Sequence, residues 1–100
     1  MLFVSGQVAF NPATGDLVMD TLEAETTQVM QNLKAVLTEG GATFDNVVMT
    51  TIFLSNMDYF ATVNSIYGTY FTADFPARAT VAVKTLPKNV NVEIAVIAVI

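Results

Sequence analysis

Apolar and polar residues along this chain alternate with two different periods, and each change of period marks a new element. Leu2-Phe3-Val4-Ser5-Gly6-Gln7-Val8-Ala9-Phe10 has the composition of a strand, in which Gly6 marks a kink or the close approach of another group. Asn11-Pro12-Ala13-Thr14-Gly15-Asp16 is dense in turn formers, and Leu17-Val18-Met19 returns as a short second strand to give a hairpin-like flap. The spacing then becomes helical. Asp20 is the expected cap, with Glu23 three residues on, and Leu22, Val29, Met30, Leu33, Val36 and Leu37 fall on one stripe of a helix over residues 21–39. Gly40-Gly41 supplies a left-handed stop.

Strand composition returns over residues 46–54, which are rich in Val, Ile, Thr and Phe on both parities and so belong inside a sheet. Ser55-Asn56-Met57-Asp58 ends that strand and caps a second helix over residues 59–71, where Phe60, Val63, Tyr67 and Tyr70 share a face and Gly68 weakens the propensity. A loop over residues 72–76 leads to a strand over residues 78–84, and Leu86-Pro87-Lys88-Asn89 forms the next turn. The last strand, residues 90–100, is apolar on both faces except for Asn91 and Glu93, which predicts a central position. The order β(β)αβαββ predicts an α+β fold, a mixed sheet with two helices packed on one face. Two helices leave the other face bare although it is also apolar, and its simplest cover is another copy of the chain, so the pattern predicts a homo-oligomer.

Composition narrows the chemistry. One hundred residues, 53% hydrophobic and 13% charged, make a single domain over residues 1–100 with enough apolar mass for a core. The absence of Cys and His removes disulfides, thiol catalysis, His-based triads and most metal chemistry. Arg, carboxylates, hydroxyls, backbone and water are what remain. A net charge of −5, with basic residues only at Lys34, Arg78, Lys84 and Lys88, offers no stripe for a phosphate backbone, so no nucleic-acid partner is expected. No cleavable signal, import segment or membrane-length apolar run is present in the sequence, and a cytoplasmic protein is the expectation.

Two charged residues stand out against this background. Arg78, the only arginine, sits at the mouth of an apolar strand behind Phe75-Pro76-Ala77, where Pro76 fixes its own φ and keeps Phe75 extended. A guanidinium there suits a bound anion, and the rival readings are an ion pair with a carboxylate of the protein and a solvent-facing strand end. Glu93 is the only acid in the last 26 residues and lies in a strand otherwise written for burial. Either an ion pair with Arg78 or Lys84, or the orientation of a water in a pocket, accounts for it. Ser5, Asn64 and Thr80 are ordinary strand or helix residues and, taken singly, point to no site.

Taken together, Val4-Ser5-Gly6-Gln7, Asn11-Pro12-x-Thr14-Gly15, Asn32-Leu33-Lys34-Ala35, Phe60-Ala61-Thr62-Val63-Asn64 with Tyr67 and Phe71, Phe75-Pro76-Ala77-Arg78 and Val92-Glu93-Ile94 resemble the reactive intermediate deaminase family, also called RidA or YjgF-like. The resemblance runs from Leu2 to Ile100. It implies a chorismate-mutase-like fold with the last strand in mid-sheet, a homotrimer, and pockets between neighbouring subunits. It further implies hydrolysis of 2-imino acids and their enamine tautomers, such as 2-iminobutanoate and 2-iminopropanoate, to 2-keto acids and ammonia, with no cofactor. Arg78 would clamp the substrate carboxylate and Glu93 would orient or deprotonate the attacking water. The Thr80 backbone would lie against the substrate, while Ser5, Asn64 and Tyr67 would line or brace the pocket. Family members usually carry a further N-terminal segment with a strand and a Gly-Pro-Tyr motif, which this sequence does not include; either the sequence is incomplete, or the chain is naturally short, which would leave a sheet edge unpaired and the pocket more open. A non-catalytic trimer that binds small carboxylates through Arg78, and a ribonuclease or translation inhibitor, are the rival readings. The acidic balance disfavours the latter.

Overall fold

A computed structural model describes residues 1–100. The elements are β1 (Leu2–Gln7), α1 (Leu22–Glu39), β2 (Val47–Leu54), α2 (Phe60–Gly68), β3 (Ala77–Ala82) and β4 (Val92–Ala98), with short 3-10 turns at Phe44–Asn46, Met57–Tyr59 and Pro87–Asn89. The sheet order is β1-β4-β2-β3; β4 runs antiparallel to both neighbours, and β2 and β3 are parallel. The strand that is apolar on both faces is thus central, and the turn at Pro87–Asn89 joins strands that are not neighbours. The expected α+β architecture, a mixed sheet with two helices on one face, is what the chain adopts.

α1 forms because Thr21 caps it, its hydroxyl accepting from the Ala24 N–H at 3.0 Å. The cap expected at Asp20 therefore falls one residue later, where Thr21 has the extended backbone a cap needs. Val29, Met30, Leu33 and Leu37 are fully buried as the stripe predicts, whereas Val36 stays 37% exposed at its margin. Gly41, with φ +80°, supplies the left-handed stop while Gly40 keeps φ −82°. The return strand at Leu17–Met19 shrinks to a single bridge between Phe10 and Leu17. On the other edge of the same segment the Asn32 amide of α1 donates to the Val8 and Phe10 carbonyls at 2.9 and 2.7 Å and holds the flap against the helix.

α2 is shorter than its apolar stripe. A 3-10 turn capped by Asn56 precedes it, and i→i+3 bonds from Thr69, Tyr70 and Phe71 unwind the last turn after Gly68. Val63 and Tyr67 are buried against the sheet, and Phe71 extends the contact. On the helix side of the sheet, Val92, Ile94, Val96 and Ala98 of β4 lie among Val4 of β1 and Ile52 and Leu54 of β2, under the α1 stripe. The alternate residues, among them Phe3, Met49, Thr51, Phe53, Val81, Ala95 and Ile97, form the second face, which no element of the chain covers. Phe3 is 69% exposed there, at the side of a shallow depression of about 240 Å³ that Ser5, Met49, Thr51, Ala95 and Ile97 also line. No helix is long and apolar enough to cross a membrane.

Candidate functional site

β3 is an outer strand, and the register Thr50↔Arg78 puts Arg78 on the helix-covered side of it, beneath α2. Phe75-Pro76 delivers the chain to this position, and Asn64 at one turn before Gly68 on α2 faces it. The Arg78 Nη1 donates to Asn64 Oδ1, and the guanidinium carbon lies 5.3 Å from the ring centroids of both Phe60 and Tyr67. The cation is thus oriented by a neutral amide and two aromatic faces, with no carboxylate of the chain among these contacts. A cavity of about 430 Å³ opens beside it, lined by Asn64, Tyr67, Gly68, Phe75, Pro76 and Arg78.

Tyr67 is braced from below, its hydroxyl donating to Thr50 Oγ1 at 3.0 Å. Burial pushes the phenol above its ordinary pKa, against the smaller opposing effects of the Thr50 bond and the Arg78 charge, so the ring stays a neutral hydrogen-bond donor. Thr80 follows on the same face of β3, opposite Ile52, and its buried Oγ1 has no hydrogen-bond partner. β3 pairs with β2 on one side only, which leaves the backbone groups of its other edge without a strand partner.

Glu93 lies elsewhere. Its register partner Phe53 belongs to the open face, so the sheet itself separates the Glu93 and Arg78 side chains within one chain. The Arg78–Glu93 ion pair that the sequence left open does not form there. Gly6 explains how the carboxylate fits: β1 is irregular between Val4 and Gln7, and a Cβ on Gly6 would collide with Glu93 Oε2. The close approach expected at Gly6 is that of Glu93. Ser5 sits next to it, exposed on the same open face. Of the residues singled out from sequence, Arg78, Asn64, Tyr67 and Thr80 therefore gather under α2, and Ser5 and Glu93 gather on the far side of the sheet.

Sequence reasoning did not single out Thr50 or Gly68 for the site, and it placed Phe60 on a helix face and in a family motif without giving it a role. The signal for Phe60 was its spacing, one turn before Asn64 and two before Tyr67, which sets all three along one side of α2. No cluster of acidic side chains suited to a metal ion occurs.

Known proteins share this fold. The profile of the family described as Endoribonuclease L-PSP matches residues 1–100. Protein DfrA of Myxococcus xanthus is 50% identical over 99 residues, covering 99% of this chain and 76% of that protein. The 2-iminobutanoate/2-iminopropanoate deaminase of Mus musculus is 45% identical over 98 residues, covering 98% of this chain and 73% of the mouse protein. The crystal structure of the yjgF gene product of E. coli superimposes with a TM-score of 0.91 at 41% identity, covering 97% of this chain and 78% of that one. With a match along its whole length in sequence and in fold, the chain belongs to the Endoribonuclease L-PSP family, which is the RidA or YjgF-like family that its motifs resemble.

Proposed function

We propose that this protein is a homotrimeric hydrolase that converts 2-imino acids and their enamine tautomers, such as 2-iminobutanoate and 2-iminopropanoate, to 2-keto acids and ammonia. The observation that carries the reading is Arg78: a planar cation held by Asn64 and in cation–π contact with Phe60 and Tyr67, at a cavity, with its charge left for an anion from outside. A fork fixed in this way suits the two oxygens of a substrate carboxylate. The identity with a mouse protein named for this deaminase activity supports the same reading.

The chemistry asks little of the protein, because a protonated imine is already an electrophile. Arg78 binds the carboxylate and fixes the imine carbon, with the Thr80 backbone lying against the substrate and Asn64 and Tyr67 bracing the wall. Water adds through its oxygen to that carbon while one of its protons passes to the Glu93 carboxylate. Glu93 then returns the proton to nitrogen, the C–N bond breaks with its electron pair leaving on ammonia, and the hydroxyl gives its proton to the Glu93 carboxylate as the keto group forms, from which it passes to the departing ammonia. Ser5 lines the side from which the water comes.

Arg78 and Glu93 project from opposite faces of the sheet, so they meet only where the cavity of one subunit adjoins the open face of another. The apolar residues of that open face support such a contact. Sedimentation at micromolar concentration should accordingly give a trimer. A stable monomer would keep the two groups apart and remove the reading. The direct test generates an imine in situ with an amino-acid oxidase and follows keto-acid release, which the protein should accelerate. Binding of a keto acid with no acceleration would leave a carboxylate-binding protein in place of an enzyme. A net charge of −5 does not favour nuclease action on a polyanion.

A further inference from the structure

Glu25 is a buried carboxylate for which the proposed reaction has no direct use. It lies in the first turn of α1 with no exposed surface. Its Oε2 accepts from the backbone N–H groups of Asn91 at 2.7 Å and Val92 at 3.2 Å, and its Oε1 accepts from Asn91 Nδ2 at 2.9 Å. Asn91 is gripped from the other side as well. Ser55 Oγ donates to Asn91 Oδ1 at 2.9 Å, and the Ser55 N–H donates to the Asn91 carbonyl at 3.0 Å. One carboxylate therefore joins the start of α1, the end of β2 and the start of β4, just two residues before Glu93.

The arrangement suits a carboxylate. Three N–H donors converge on it and both of its oxygens accept; an amide in its place would turn its NH2 towards Asn91 Nδ2 unless the Asn91 amide turned over and exchanged its bond to Ser55 as well. Its partners are neutral, so a charge is kept from water by oriented dipoles alone, a costly arrangement where packing is all that is needed. The geometry also has a direction. Fixing the amides of Asn91 and Val92 fixes the pleat of β4 at its origin, with Val92 turned into the core and Glu93 turned to the open face over Gly6.

We propose that Glu25 is a positioning residue for Glu93: by anchoring Asn91 and Val92 it sets where the Glu93 carboxylate stands. This rests on the deaminase reading, in which Glu93 handles the attacking water. The test compares Glu25→Gln, Glu93→Gln and the double variant in the intact protein, measuring kcat, KM, keto-acid affinity and amide hydrogen exchange well below the melting temperature. Glu25→Gln should lower kcat by about tenfold, the scale of a modest misplacement of a reacting group. KM and keto-acid affinity should stay within about twofold, since Arg78 is untouched, and exchange at Asn91 and Val92 should quicken. The double variant should be no slower than Glu93→Gln alone, because Glu25 acts through Glu93. An unchanged kcat in folded Glu25→Gln, or a further tenfold loss in the double variant, overturns the positioning role while a crippled Glu93→Gln leaves the deaminase reading standing. Wild-type activity in Glu93→Gln overturns both. Should Glu25→Gln fail to fold, Asn91→Ala keeps both backbone bonds to Glu25 and loses the side-chain link. It should lower kcat by about threefold at constant KM, and an unchanged kcat there overturns the proposal equally.

Discussion

Arg78→Lys should lower imine hydrolysis by about tenfold to a hundredfold while leaving the assembly and the melting temperature nearly unchanged. Lysine keeps the charge, so any loss reports on geometry. An ammonium cannot present two parallel donors to a carboxylate, and it changes the cation–π contacts that the guanidinium makes at 5.3 Å from the Phe60 and Tyr67 ring centroids. Hydrogen bonds to a charged group contribute about 1.5–3 kcal/mol each, which sets the size of the loss. Because Arg78 is exposed and its side-chain hydrogen bond goes to a neutral amide, exchanging one cation for another leaves no buried charge uncompensated. Initial rates on 2-iminobutanoate, together with keto-acid affinity, read the effect. A variant as fast as the wild type would show that Arg78 is not the clamp, and a collapse in stability with no change in rate per folded subunit would make it an architectural residue.

How far the sequence carried the site depended on the range of the contacts involved. The central place of β4 was legible because its residues are apolar on both faces, and the approach to Gly6 was legible because a glycine inside a strand needs a reason. Arg78 was conspicuous for its charge. What could not be read was the side of the sheet on which each group ends: that depends on the register of β2 with β3 and with β4, pairings between segments far apart in the chain. Only that register shows Arg78 and Glu93 to be divided by the sheet. Glu25 was hidden for the same reason. In the sequence it is an ordinary acidic residue of a first helical turn, and its meaning comes from Asn91, 66 residues away. The flap keeps only the bonds beside its bridge, Val18 N–H to the Ala9 carbonyl and Asn11 N–H to the Asp16 carbonyl, while Asn32, reaching from α1, holds the Val8 and Phe10 carbonyls on the other edge, a long-range contact that the local pattern does not show.

Glu93→Gln should leave keto-acid binding through Arg78 intact while the rate of hydrolysis falls by about a hundredfold or more, the usual scale of general acid–base help. Glutamine fills the same space over Gly6, where a bulkier group has no room, but it cannot take a proton from water. The rival role, partner to a cation, makes a different forecast. Stripping the acid from a buried ion pair leaves the cation unsatisfied and costs about 3 kcal/mol or more of stability. Within one chain the sheet keeps Glu93 from Arg78, so a pair of this kind has to form across subunits, and its loss would appear as a weaker trimer and a lower melting temperature. Melting, sedimentation, product affinity and initial rate on this one variant separate the cases. A rate loss in a stable trimer that still binds product assigns Glu93 to the water; an unchanged rate with a depressed melting temperature would end the catalytic assignment and leave Glu93 as a structural contact between subunits.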